Sequence, residues 1–123
     1  MEIFGTNGKI YCTANKHHVI AGELINLRAE TYERFVQINV IGQKKPAYKS
    51  IGFDCSGVIT FEYNQSYLSG KIEDKIQNYF EIEIDDELSG ERYILRNVIF
   101  DTINLLSLLQ KNIEFTFDDY EIV

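Results

Sequence analysis

The side chains best equipped for chemistry are few: Cys12, Cys55, the adjacent pair His17-His18, and a row of carboxylates at Glu81, Glu83 and Asp85. The cysteines lack Cys-x-x-Cys spacing and a His/Asp arrangement near them, so they read as reduced structural residues rather than as a metal site or a nucleophile. Neighbouring histidines on an extended chain point to opposite faces, and no third ligand lies close in sequence, so His17-His18 read as loop polar residues. The carboxylates alternate with Phe80, Ile82 and Ile84, which puts them roughly 7 Å apart on one strand face. That spacing serves neither a calcium loop nor a catalytic pair without further donors, so the row reads as a solvated acidic surface. No nucleophile elbow, phosphate loop, dinucleotide fingerprint or zinc motif occurs. The chain is not expected to be an enzyme, and no cofactor or metal is implied.

Composition sets the frame for these residues. The 123 residues suit one domain, 1–123, and 45% hydrophobic with 25% charged residues is ordinary for a globular fold. Twelve basic residues against nineteen acidic ones give a formal charge of −7, which disfavours binding nucleic acid by neutralising its phosphates. No apolar run reaches the roughly 18 residues a membrane span needs, and the chain opens on no secretory signal. It is expected to be made and folded in the cytosol.

Period-two alternation dominates the chain. Lys9 to Thr13 and Val19 to Ala21 read as a hairpin turning at Ala14 to His18. Glu23 to Glu33 sets Ile25, Leu27 and Ala29 against Asn26, Arg28 and Glu30; strand is favoured over helix, continuing past a bend into Phe35 to Ile41. There Val36, Ile38 and Val40 oppose Gln37 and Asn39, as in a half-buried strand. Gly57 to Asn64 repeats the pattern, with Ile59, Phe61 and Tyr63 opposite Thr60, Glu62 and Asn64, and is expected to pair with Phe35 to Ile41. The period then shifts: Leu68, Ile72, Ile76 and Tyr79 predict a helix over about 66–78, capped by Ser66. Tyr79 to Asp85 and Glu91 to Phe100 form a second hairpin, with cross-strand Glu–Arg pairs offsetting its acidic row. Asp101 to Leu109 fits a buried strand or a short helix. The closing Glu114 to Glu121 places Phe115 and Phe117 on one face. The fold class is mainly β, a sandwich or barrel-like domain with one flanking helix.

Between the two alternating runs lies a long loop, 42–56, holding the only proline, Pro46, with Tyr48 and three basic residues, Lys44, Lys45 and Lys49. Structureless loops of that length are uncommon in compact domains. It reads either as a solvated basic tip or, preferably, as a surface that docks on a partner. Two-faced strands with open edges call for further copies of the chain. The alternative is a small soluble β-barrel that binds a ligand, which would need an enclosed apolar pocket.

Several stretches resemble, in order, the tail tube proteins of phages and phage-like contractile particles of Gram-positive bacteria. They are Gly22 to Glu30, Asn39 to Gly42, Tyr48 to Gly52 and Ser56 to Asn64, then Tyr79-Phe80, Asp85-Asp86, Ser89 to Arg92, Leu95 to Val98, and Phe115-Thr116-Phe117-Asp118-Asp119-Tyr120. The resemblance implies a structural subunit of hexameric rings stacked into a hollow inner tube, a conduit for DNA or an effector. Its partners would be other copies of itself, and sheath, baseplate and tape-measure proteins; DNA would pass without specific binding and no membrane would be involved. Such a protein is made in the host bacterial cytoplasm and ends in a virion tail or a released tail-like particle. On this resemblance Lys44, Lys45, Pro46, Tyr48 and Lys49 would contact the next ring, and Glu62, Glu81 and Glu83 would face the lumen, where carboxylates repel phosphates.

Overall fold

The computed structural model describes residues 1–14, 17–68, 79–104 and 106–123, and for Thr13, Ala14, His17, His18, Ser66 and Leu68 the backbone trace alone. It is mainly β, with eight antiparallel strands: β1 (Glu2–Gly5), β2 (Gly8–Ala14), β3 (His17–Ile38), β4 (Ala47–Tyr63), β5 (Tyr79–Asp85), β6 (Arg92–Phe100), β7 (Leu109–Thr116) and β8 (Asp119–Ile122). His17 and His18 begin β3, opposite Ala14 and Thr13, instead of sitting in a loop. The helix expected over about 66–78 starts as one turn, α1 (Gln65–Leu68), and its remainder lies outside the described residues.

Six strands close on themselves. β3 pairs with β2, β2 with β5, β5 with β6, β6 with β7, β7 with β4, and β4 with β3 again. The short terminal strands extend this barrel: β1 lies along β3 beyond β2, and β8 along β6 beyond β7. Register shifts at Ile10/Tyr11, Leu24/Asn26, Ile59/Phe61 and Phe80/Ile82 supply the local bends that closing so few strands requires. Asn97, at φ 52°, marks the point where β6 changes partner from β8 to β7, and its side-chain amide donates to Asp118 Oδ2 at 2.9 Å. Asparagine tolerates this left-handed conformation better than most residues.

The alternation of β5 and of the second half of β4 reaches the core as its pattern predicts. Phe80, Ile82 and Ile84 are buried, as are Ile59, Phe61 and Tyr63. Phe100 stands at the centre of the barrel, its ring 5.2 Å from Phe61, 5.0 Å from Phe80 and 6.3 Å from Phe115. Truncating so buried an aromatic to alanine costs about 3–5 kcal/mol. Phe115 and Phe117 share the core, as expected from their common face. At one end the buried carboxylate of Asp86 accepts hydrogen bonds from the backbone N–H groups of Phe4, Leu88 and Ser89 and from the Ser89 hydroxyl, tying the β5–β6 turn to β1.

Four sequence expectations are corrected. Val36, Ile38 and Val40 are 40%, 38% and 45% exposed, so their stretch is no half-buried strand. Its paired residues, Phe35 to Ile38, lie against Ala47 to Ser50, while Gly57 to Tyr63 pairs with Gly22 to Ala29. The loop at 42–56 contracts to residues 39–46, because Ala47 to Ser56 continues β4. Finally, 101–108 forms neither strand nor helix among its described residues. It is an irregular segment held by the buried Gln110 side chain, which donates to the carbonyls of Asn104 and Ser107 and accepts from Asn104 N.

Candidate assembly surface

β3 is 22 residues long and β4 is 17, which exceeds what the barrel can accommodate. On the barrel, β3 is flanked by β2 and β1 as far as Glu30, and Thr31 N still bonds to Met1 O. β4 is flanked by β7 from Ser56 onward, and Phe117 N bonds to Cys55 O. Beyond those residues the two strands pair only with each other, from Tyr32↔Asp54 to Ile38↔Ala47. They form a hairpin arm about 23–27 Å long, by the rise of seven or eight strand residues. The edges expected to be open on the body are therefore sealed by barrel closure. The longest open edges belong to the arm, and the short β1 and β8 each pair on one side only among the described residues.

The arm has a bulge. Ile51 has no partner, and Gly52 lies opposite Arg34 at φ 121°, a conformation in which a Cβ would be strained. Beyond it, Tyr48 lies opposite Gln37 and Lys49 opposite Val36. The strand pleat then places Thr31, Glu33, Phe35, Gln37 and Tyr48 on one face, and Tyr32, Arg34, Val36, Ile38 and Lys49 on the other. Tyr32, Phe35, Tyr48, Ile51 and Phe53 are more than half exposed or at half, and Ile41 at the tip is fully exposed. This is far more apolar side chain than a lone solvated hairpin needs.

Charge separates the same way. Between Arg34 and Phe53 stand four basic residues and no acidic one, leaving eight basic against nineteen acidic residues elsewhere. Arg34 is held by Asp54, Nε to Oδ1 3.2 Å. Among the described residues no ion pair within the subunit involves Lys44, Lys45 or Lys49. Of the expected docking residues, Lys44, Lys45 and Pro46 lie in the tip, while Tyr48 and Lys49 lie on opposite faces of β4. The structure thus splits a set that the sequence presented as one loop.

Glu62, Glu81 and Glu83 are brought together. Glu62 lies opposite Glu23, Glu23 opposite Lys9, and Lys9 opposite Glu83, in one row across β4, β3, β2 and β5; Glu81 follows in the next row, opposite Tyr11. All three stand on the outer face of the barrel, at the end away from the arm. Glu83 is partly neutralised by Arg92, whose Nη1 approaches to 2.9 Å while its Nε holds Asp85 at 2.8 Å. These are the Glu–Arg pairs expected across β5 and β6. Burial, and after it the Glu83 carboxylate, push the Tyr11 phenol above its ordinary pKa. Arg92 holds the Asp85 carboxyl below the usual range. Cys12 and Cys55 are free and buried, and burial pushes both thiols up, away from reactivity. No cluster of three or more metal-ligating side chains occurs among the described residues.

A surface the sequence did not single out lies at the root of the arm. It is an open groove of about 650 Å³ over β3, β4, β7 and the end of β6, lined in part by Glu30, Val58, Ile99, Asp101 and Glu114. Beside it Gly57 leaves no room for a side chain: a Cβ there would meet Arg28 O at 2.5 Å and the buried Phe115 ring at 2.7 Å. The only hint in the sequence is Val58 out of phase with Ile59 and Phe61, an apolar residue on the polar side of its strand.

The subunit is thus a closed antiparallel barrel filled by aromatic rings and carrying one projecting basic arm. The family model described as phage tail tube protein matches residues 2–123, and the chain belongs to that family, whose members are structural components of phage tails. Among solved structures, a Bacillus subtilis protein determined by the Northeast Structural Genomics Consortium superposes with a TM-score of 0.65 at 22% identity, over 98% of this chain and 95% of that one. That likeness supports the fold. No curated protein matches the chain.

Proposed function

We propose that the protein forms hexameric rings that stack into the inner tube of a phage tail or a contractile tail-like particle, a passage for DNA or an effector. The observation that carries the stacking is the arm, a hairpin with both outer edges unpaired, apolar side chains on both faces and a basic tip, on an otherwise acidic body. An edge of this kind is completed by another chain, and an arm that meets a different patch on its neighbour propagates a filament. Lys44, Lys45, Pro46, Tyr48 and Lys49 then contact the next ring. Glu62, Glu81 and Glu83, on one outer face, line the lumen and keep phosphates from adhering. Sheath, baseplate and tape-measure proteins are the further partners of such a tube.

The competing reading, a ligand-binding barrel, has less support, because Phe61, Phe80, Phe100 and Phe115 occupy the interior such a ligand would need. Negative-stain electron microscopy of the purified chain tests the proposal. Rings or tubes are expected as concentration rises, and a strictly monomeric species at every concentration, with or without a nucleating partner, would overturn it.

A further inference from the structure

We infer that the groove at the root of the arm receives the arm tip of a second copy of this chain. This rests on the stacking reading above and names the receiving surface for it. The groove is floored by Val58 and Ile99, 42% and 54% exposed, and rimmed by Glu30, Asp101 and Glu114. Its one cation, Arg28, is engaged elsewhere, with Glu2 at 3.3 Å and with its guanidinium 5.6 Å from the centre of the Phe4 ring. The rim therefore offers three carboxylates to an incoming positive group. Among the described residues, none of the three is held by a cation of its own subunit.

The tip is the matching part. Ile41 is fully exposed and Val40 nearly half exposed, beside Lys44 and Lys45, so the tip carries an apolar point with a basic rim where the groove has an apolar floor with an acidic rim. Tip and groove are different patches of one molecule, separated by the arm's own length. Their contact is therefore head-to-tail and repeats along one direction. One such contact is small for a stable protein interface. Several made at once between two rings hold by effective concentration, although each alone is weak. That also explains why a free subunit would not polymerise at once through its arm.

The test uses the full chain under conditions where the wild type grows tubes. Asp101→Lys with Glu114→Lys, and separately Lys44→Glu with Lys45→Glu, should each reduce tube growth at least tenfold while rings still form. The four changes together should restore growth at least in part. In a second experiment, Ile41→Cys with Ile99→Cys should give a ladder of disulfide-linked multimers under mild oxidation of assembled tubes, which decides the matter should a charge variant fail to fold. Wild-type growth in the Asp101/Glu114 variant, or no ladder from assembled tubes, overturns the inference and leaves the stacking reading standing. A wild type that forms neither rings nor tubes overturns the stacking reading itself. Duplex DNA retained by the tip, lost with Lys44→Glu and Lys45→Glu but unaffected by the groove variants, would assign the tip a different occupant and also overturn the inference.

Discussion

Tyr48 and Lys49, adjacent in sequence, stand on opposite faces of the arm, Tyr48 across from Gln37 and Lys49 across from Val36. The bulge at Ile51 and Gly52 decides which face each takes. Were Ile51 paired with Phe35 instead of bulged out, Lys49 would fall opposite Gln37 and Tyr48 opposite Ile38, and the two would exchange faces.

Inserting one alanine between Ser50 and Ile51 should therefore move Lys49 to the face of Phe35 and Tyr48 to the face of Val36, without touching the barrel. Circular dichroism and the melting temperature should stay near wild type while tube growth fails. Gly52→Val should act in the same direction, since a β-branched residue at that positive φ costs about 1–3 kcal/mol of local strain. Normal tubes from the insertion variant would show that the facing of these residues is immaterial.

Reversing Lys44, Lys45 and Lys49 to glutamate removes the basic character of the arm while leaving every ion pair resolved within the subunit intact. Folding stability should change by no more than about 0.5 kcal/mol, as for ordinary surface substitutions. Tube assembly followed by light scattering should fall sharply. For the wild type it should also weaken as salt rises, because exposed charge pairs are screened. Growth indifferent to both would remove the docking role of the lysines.

Asp86 gives the barrel a dependence on acid. Burial alone would push its carboxyl up, but the donors from Phe4, Ser89 and Leu88 outweigh burial and hold it below the ordinary value. A depressed value in the folded state means that its stabilisation is complete above the unfolded-chain value of about 3.9 and is lost as pH falls through the folded-state value. Asp86→Asn should cost about 1.5–3 kcal/mol at neutral pH, the range for hydrogen bonds to a charged group. Denaturant titrations at stepped pH should show the gap between variant and wild type closing in strong acid. A gap constant down to that range would locate the stabilisation elsewhere.

Tyr63 makes a prediction of the opposite sign. Its hydroxyl is buried without a hydrogen-bond partner among the described residues, and burial pushes its pKa far above the usual phenol value. Tyr63→Phe removes the stranded group and keeps the edge-on contact with Phe61 at 5.0 Å. It should raise stability by about 1 kcal/mol. A loss of stability in chemical denaturation would mean that the hydroxyl is satisfied after all.

Where one strand face meets the core, the sequence was legible. The alternations around Phe61 and Ile82 place the right residues inside, because burial of one face is a local pattern. The strand from Ala47 to Asp54 was not legible, since both of its faces meet solvent and no alternation is imposed. Lys44, Lys45 and Pro46 just before it extend the appearance of a loop. Ile25 misled for another reason: the register shift between Leu24 and Asn26 turns it out to 43% exposure while Leu27 and Ala29 remain buried. Barrel closure and the groove at Val58 depend on which distant strands become neighbours, and no local pattern encodes that. Glu62, Glu81 and Glu83 were found as separate polar positions, and only the strand order puts them on one face.

β3 passes from barrel to arm without interruption, its sixteen pairings with β4 running through both. There is consequently no joint at the root. A pull on the tip along the hairpin loads many ladder bonds in shear at the same moment, and passes directly into the wall that Phe100 braces from inside. The subunit would answer tension as one stiff lever, its angle set when the chain folds and not when it meets a neighbour.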